Sequence, residues 1–475
     1  MNAPISCLPW IGGSEADADG WSEVISPYAG HVVVQVARTG AATVAEAVRV
    51  AHETQPLVAA MPAHERAAVL LRAADLVERD AERFAATVTE QTGKALKNTL
   101  REVRRSALTF RAAAVAAQTL QGTVYQPDLS SEGQRLLTLG VRRPVGVIAA
   151  ITPFNAPFNL VVHKVAPALA AGNAIVVKPA DQAPRSAVDV ARLLEEAGAP
   201  PGAVNVVPGD AATGAALVTD QRVRMVTFTG GRPAGEAVLA AAGLKRVTLE
   251  LGGNSPNIVH HDAALEQAVE ACLRGGFSNT GQSCNSVQRI IVHDLVADAF
   301  VERLQSMVGD LVVGDPADPR TDVGTLVDEA SARRVEQWLD EARRRGARVL
   351  GGERSGAQLT PAVVLDPPQD TRVVCDEVFG PVVVVQRYTD LEQAIDLANS
   401  TDFGLQAAVF TASLEVAMRV ADEVEAGAVL VNRSSNFRLD HLPYGGVKGS
   451  GLGREGPTSA VEEMTELRLV VLAPE

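Results

Sequence analysis

Apolar positions follow two rhythms along this chain. Over residues 41–58, 63–91 and roughly 100–120, Ala, Val and Leu recur at helical spacing with charges between them, as in Arg66-Ala-Ala-Val-Leu-Leu-Arg72. That spacing predicts amphipathic helices packed on a core, the second of them ending at Gly93. From Val145 onward the pattern becomes short, continuously apolar runs separated by helical stretches. The runs are Val145–Ile151, Ala174–Lys178, Val204–Val207, Met225–Phe228 and Arg246–Glu250, with helices over 159–171, 186–197, near Thr213 and from Ala234. Buried strands joined by helices make a parallel sheet covered on both faces, and such sheets bind ligands beyond the carboxyl ends of their strands.

A second alternating region starts near Asn257. It predicts helices over 263–273, from Leu295 and over 332–345, and strands at 290–292, 382–385, 408–410 and 429–431. The stretch Gly122–Val141 interrupts the first region and alternates like a pair of strands, as does Met464–Leu472 near the end of the sequence. Pairing of those two pieces would form a protruding sheet whose free edge a partner chain covers. No internal repeat, low-complexity block or linker rich in Pro, Gly or Ser breaks the pattern.

Composition narrows the function. Aromatics are only 4% of a chain that is 47% hydrophobic, so Ala, Val and Leu must fill the core. A net charge of −14 repels phosphate backbones and anionic membranes, which weighs against nucleic-acid and membrane roles. The four cysteines, Cys7, Cys272, Cys284 and Cys375, form no Cys-x-x-Cys pair, and no His cluster has metal spacing. That usage indicates a reducing compartment, with no disulfide frame and no structural metal. With no basic or apolar leader at the N-terminus and no membrane-length apolar run, the expected location is the cytoplasm.

Candidate chemistry sits at the ends of the predicted elements. Cys284 lies in Gly275-Gly-Phe-Ser-Asn-Thr-Gly-Gln-Ser-Cys-Asn-Ser286, a run of small and polar residues between a helix and a strand. A thiol on a loop with rigid neighbours is a candidate nucleophile, whereas a packed structural cysteine prefers an apolar helix or strand. Thr152-Pro-Phe-Asn155, Lys178-Pro-Ala-Asp181, Phe228-Thr-Gly-Gly231 and Glu250-Leu-Gly-Gly253 each follow a predicted strand. Glu377-Val-Phe-Gly-Pro381 and Pro443-Tyr-Gly-Gly-Val-Lys-Gly-Ser-Gly451 come later.

These motifs, in this order and at these separations, resemble the aldehyde dehydrogenase superfamily over nearly the whole chain. The resemblance implies an α/β fold with a Rossmann-type cofactor domain (1–121 and 141–252), an α/β catalytic domain (253–448) and a small β oligomerisation extension (122–140 and 460–475). It implies a homodimer or homotetramer that oxidises an aldehyde to a carboxylic acid. In that chemistry a cysteine thiolate adds to the aldehyde, and the hemithioacetal expels hydride to a nicotinamide and leaves a thioester. Cys284 matches the nucleophile, and Asn155 the side-chain amide that stabilises the oxyanion together with the Cys284 N–H. Glu250 matches the base that activates water for thioester hydrolysis. Relatives that pass the acyl group to coenzyme A usually lack this glutamate. Lys164 and Glu466 match a proposed proton-relay pair, with an ordinary ion pair as the competing reading.

For the cofactor, the resemblance implies a site of Thr152, Phe154, Lys178, Asp181, Gly209, Phe228, Thr229, Gly230, Gly231, Leu251, Glu377 and Phe379. Backbone N–H groups at the Gly230-Gly231 turn would accept the pyrophosphate. Many relatives carry Ser at position 231, and glycine there brings the phosphate closer to the backbone. Asp181 beside the adenosine ribose would favour NAD over NADP, both of which the family uses. The aldehyde side would be lined by Asn159, Ser283, Asn285 and Arg438, with Ala156 where many relatives are bulkier. A polar tunnel points to a small hydroxylated or anionic aldehyde, with aromatic aldehydes or semialdehydes as alternatives. The run Gly281-Gln-Ser-Cys-Asn-Ser-Val-Gln-Arg289 is similar to the branch of lactaldehyde-type and non-phosphorylating glyceraldehyde-3-phosphate enzymes.

Overall fold

Five short apolar strands alternate with helices: β1 (Val147–Ile151), α1 (Asn159–Ala171), β2 (Ile175–Lys178), α2 (Arg185–Glu196), β3 (Val204–Val206), α3 (Ala211–Thr219), β4 (Val223–Thr229), α4 (Arg232–Ala242) and β5 (Arg246–Glu250). The computed structural model describes residues 4–473; residues 1–3 and 474–475, the outer ends of the first and last expected segments, lie outside the described residues. The five strands run parallel in the order β3-β2-β1-β4-β5. Strand order reverses between β1 and β4, and the chain segments leaving these two strands diverge and open a crevice there. Antiparallel edges close the sheet: Gly451–Leu452 on β5 and Trp10–Ile11 on β3. Helix α1 is buried along its length because Leu96–Thr119 and Pro457–Glu463 both pack on it.

The second region forms its own sheet from β6 (Pro256–Val259), β7 (Arg289–His293), β8 (Ala362–Leu365), β9 (Val382–Tyr388), β10 (Gln406–Phe410) and β11 (Ala428–Val431), with helix α5 (Leu265–Phe277) between β6 and β7. These strands run parallel in the order β8-β9-β7-β6-β10-β11, with Arg348–Gly351 antiparallel outside β8. The expected pairing between the insertion and the closing strand is present. Thr465–Leu472 runs antiparallel to Leu137–Pro144, which in turn pairs with Thr123–Tyr125.

The α/β class and most elements match the apolar pattern, and two departures have physical reasons. The helix expected over 63–91 is two helices, Ala63–Arg79 and Ala81–Thr92, broken at Asp80. Arg79 and Arg83 both bond the Asp80 carboxylate, and Asp is a poor helix-interior residue that competes for backbone donors. Pro256–Val259 is a central strand although it opens on proline, which is tolerated at a strand's first residue. Ala and Val dominate the buried set, as the scarcity of aromatics requires, and Phe84 against Phe158 at 4.8 Å between ring centres is one of the few aromatic contacts. Among the described residues no helix is long and apolar enough to cross a membrane.

Candidate active site

The Cys284 loop connects α5 to β7. Asn279, Thr280 and Gly281 all take left-handed φ values, 55°, 56° and 69°. For the two non-glycine residues this conformation costs on the order of 1–3 kcal/mol each, so the surroundings must hold it. They do. Asn279 Nδ2 donates to the carbonyls of Gln282 (2.9 Å) and Asn155 (3.0 Å), and Gln282 Oε1 accepts from the Val327 N–H at 3.0 Å. A Cβ on Gly281 would lie 1.9 Å from the Gly380 carbonyl oxygen, so only glycine fits. The loop presents Cys284 Sγ 3.0 Å from the Tyr444 hydroxyl. Burial pushes the thiol pKa up to about 11, and the Tyr444 hydrogen bond opposes that rise.

Asn155 lies just past β1, and its side-chain amide has no partner among the described residues. Its backbone is fixed instead: the carbonyl accepts from Asn279 and from Lys94 Nζ at 3.1 Å. Lys94 is buried and paired with Glu102 at 2.6 Å. Glu102 Oε1 in turn accepts the N–H groups of Phe158 (2.9 Å) and Asn159 (3.1 Å), which caps the start of α1. One buried ion pair therefore ties the Asn155 segment to the long helix beneath it.

Glu250 ends β5, is 2% exposed, and neither carboxyl oxygen has a hydrogen-bond partner. Burial, then repulsion from Glu455, raises its pKa well above the usual carboxylate range. An unpartnered buried carboxyl facing a cavity is costly and makes Glu250 a candidate functional residue.

The structure corrects the relay pair. Lys164 Nζ donates to Glu455 at 2.9 Å, not to Glu466. Glu466 sits on the exposed strand Thr465–Leu472, its carboxylate 57% exposed and 3.9 Å from Arg246. Its place on a strand flanking the main sheet turns it toward solvent, whereas Glu455 is buried between Lys164 and Arg438. Burial opposes the Glu455 charge, but Lys164, His163 and Arg438 outweigh it and hold this carboxyl ionised.

Two cavities meet at the thiol. One, of about 570 Å³, is lined by Phe154, Asn155, Thr229, Gly230, Gly231, Glu250, Leu251, Cys284, Glu377 and Phe379, among others. The N-terminal end of α4 borders it through Gly231 and Pro233, with no side chain capping the helix, and the Thr229 hydroxyl is buried without a partner. Gly231 is not sterically required, since a Cβ there would meet nothing nearer than 4.0 Å. Glu377 accepts the Gly253 N–H at 3.1 Å, and burial raises its pKa to about 7 against that bond and Arg334. A side chain at Gly252 would collide with the Glu377 carboxyl at 2.3 Å. Phe154 and Phe379 meet edge to face at 5.8 Å. Beyond the β2 and β4 ends lies an apolar cavity of about 420 Å³ with Lys178, Asp181, Asp210 and Phe228 in its walls. There Lys178 Nζ pairs with Asp181 at 2.7 Å. Thr152 and Gly209 line neither of these cavities.

On the other side of Cys284 is a small polar cavity of about 130 Å³. Asn159, Ser283, Asn285 and Arg438 all line it, with Ala156. Two of the four are engaged in the wall: Asn159 Oδ1 accepts from Ser106 and Thr109, and Asn285 Nδ2 donates to Gln406 at 2.8 Å. Arg438 is 10% exposed and salt-bridged to Glu455 at 2.7 Å. Its guanidinium lies 3.9 Å over the Tyr444 ring. Arg105 lines the cavity and is held bidentately by Asp440, while Arg101 has no ion pair among the described residues.

Glu455, Lys94 and Glu102 escaped the motif analysis, and Tyr444 stood inside the quoted Pro443–Gly451 motif without a role. Glu455 stands in Gly453-Arg-Glu-Gly456, four residues past the last motif quoted, and a carboxylate among glycines there was a usable signal. Lys94 follows the helix-ending Gly93, and Glu102 falls on the apolar face of the next helix; a charge on such a face is the signal for a buried pair.

A Rossmann-type sheet whose crevice is lined by both a loop thiol and a buried carboxyl is the frame of an α/β oxidoreductase. The aldehyde dehydrogenase family model matches residues 14–470, and the chain belongs to that family. It is similar to 3-sulfolactaldehyde dehydrogenase of Priestia aryabhattai, with 45% identity over 411 residues covering 86% of each chain. It superposes on aldehyde dehydrogenase 21 of Physcomitrella patens, solved with the reaction product succinate, at TM-score 0.97 and 34% identity over 99% of both chains. It also superposes on glyceraldehyde-3-phosphate dehydrogenase GapN of Methanocaldococcus jannaschii, complexed with NADP, at TM-score 0.92 and 36% identity, over 96% of this chain and 100% of that one.

Proposed function

We propose that this chain oxidises a small anionic or hydroxylated aldehyde to the free carboxylic acid, with NAD as hydride acceptor. The observation that carries this reading is the position of Cys284, the one thiol shared by the dinucleotide-sized crevice and the small polar cavity. The uncapped α4 amides suit a pyrophosphate, Glu377 a ribose hydroxyl, and the Lys178–Asp181 pair the adenosine ribose. A bound nicotinamide supplies the hydride acceptor. Cys284 adds to the aldehyde carbon, and the Asn155 amide and Cys284 N–H stabilise the oxyanion. Glu250 then takes a proton from water, which hydrolyses the thioester to acid and restores the thiol. A deacylating base of this kind favours free acid over an acyl-coenzyme A product.

The small cavity volume favours short aldehydes over fatty and polyaromatic ones, since sites for drug-sized ligands run from about 300 Å³ upward. Arg101 at its wall, with no ion pair among the described residues, suits a carboxylate, sulfonate or phosphate, and the names of the relatives fit such groups. Initial rates on lactaldehyde, glycolaldehyde, succinic semialdehyde, benzaldehyde and hexanal test the substrate class. One of the first three should lead hexanal in kcat/KM by about tenfold or more, equivalent to about 1.4 kcal/mol. Best turnover on hexanal or benzaldehyde removes the reading. The Asp181 carboxylate, 55% exposed in the adenosine cavity, should repel a 2′-phosphate. NAD should therefore exceed NADP in kcat/KM by about tenfold, and the reverse order would refute this assignment.

The proposed assembly is a homodimer or homotetramer built on the strand Thr465–Leu472. Its outer edge is unpaired, and Leu467, Leu469, Val471 and Leu472 are each about half exposed, at 47%, 58%, 51% and 49%.

A further inference from the structure

Tyr444 touches the nucleophile, and the reaction outlined above gives it no task. Its hydroxyl lies 3.0 Å from Cys284 Sγ and has no other hydrogen-bond partner among the described residues. The ring is 5% exposed, and Arg438 covers one face with its guanidinium carbon 3.9 Å from the ring centre. Arg438 is itself held by Glu455 at 2.7 Å, and Glu455 by Lys164 at 2.9 Å. The hydroxyl is thus positioned by a buried chain of charges, not by a flexible contact. A cation on the ring face draws electron density from the phenol and makes its O–H a stronger donor.

The other groups facing the thiol divide by sign. Glu250 at the end of β5 and Glu377 before β9 disfavour a thiolate, and Arg438 favours one. Lys94, Arg101 and Arg105 line the cavity on the aldehyde side, but Lys94 and Arg105 are neutralised by Glu102 and Asp440. Sulfur in this pocket therefore has one close donor fixed on it, the Tyr444 hydroxyl.

We propose that Tyr444 is a catalytic hydrogen-bond donor that stabilises the Cys284 thiolate, with Arg438 polarising and anchoring its ring. The inference rests on the reading of Cys284 as nucleophile, and it assigns the late Pro443-Tyr444 segment a direct part in generating that nucleophile. Tyr444→Phe tests it, because the ring stays under Arg438 and only the hydroxyl is lost. The measurement is the rate of iodoacetamide alkylation as a function of pH in cofactor-free wild type and variant. The Cys284 peptide is followed by mass spectrometry, because Cys375 is also exposed. Loss of a hydrogen bond to a charged sulfur should raise the alkylation midpoint by about one pH unit, so at any pH below both midpoints the variant reacts about tenfold more slowly. Circular dichroism and the thermal midpoint should match wild type. An unchanged or lowered midpoint overturns the proposal. No aldehyde is consumed in this assay, so a wild-type protein that reduces no NAD with any aldehyde would count separately against the proposed reaction.

Discussion

Cys284→Ala should abolish aldehyde oxidation, lowering kcat by at least about 10³-fold while NAD binding, followed by titration calorimetry, stays within about twofold of wild type. The reason is chemical. An aldehyde carbon carries hydrogen but holds it as a poor hydride donor; only the tetrahedral adduct with an oxyanion expels it. Without sulfur at position 284 no such adduct forms, and the other three thiols cannot substitute. Cys7 and Cys272 are buried in the cores with their pKa values raised by that burial, and the exposed Cys375 donates to the Gln369 carbonyl at 2.9 Å. Measurable steady-state turnover in the alanine variant would refute the covalent mechanism.

Glu250→Gln should separate the two halves of the reaction. Acylation and hydride transfer need Cys284 and Asn155, so the first turnover should still release about one equivalent of NADH. Hydrolysis needs the base, so the steady-state rate should fall by about 10²–10⁴-fold and an acyl adduct on Cys284 should accumulate, visible by intact mass. The pH dependence follows from the site. Burial and Glu455 hold the Glu250 carboxyl above the usual range, so the proton-accepting carboxylate fraction grows as pH rises. Where deacylation limits wild-type turnover, kcat should climb with pH, and the glutamine variant should lose that climb. A variant with an unchanged steady-state rate would remove Glu250 from the base role.

The elements that carry this chemistry were legible because their patterns are local. Val147–Ile151 leads into a turn that carries Asn155, Arg246–Glu250 ends on a carboxylate after Val-Thr-Leu, and both strands end at the crevice. Cys284 stood out by its small, polar neighbours, and the left-handed Asn279-Thr280-Gly281 turn explains why those neighbours are needed. The carboxylate partner of Lys164 was not legible. Glu455 and Glu466 are eleven residues apart in sequence and equally acidic, and nothing local says which one meets Lys164. That depends on Gly451–Leu452 joining β5 as an edge strand, which carries Glu455 inward, and on Thr465–Leu472 leaving for the outlying sheet.

By itself the sequence determined the α/β alternation, the parallel sheet, the loop position of Cys284 and the carboxylate that ends β5, since each depends on residues within a few positions of one another. Only the tertiary structure decided what those groups face. It set Tyr444 against the thiol, stacked Arg438 on Tyr444, and left Glu250 without a partner while ionising Glu455. It also bound the Asn155 segment to the buried Lys94–Glu102 pair. The Tyr444–Cys284 and Lys94–Asn155 contacts join residues 160 and 61 positions apart, and the strength of all these pairings depends on how much water the surrounding fold excludes, which no local pattern encodes.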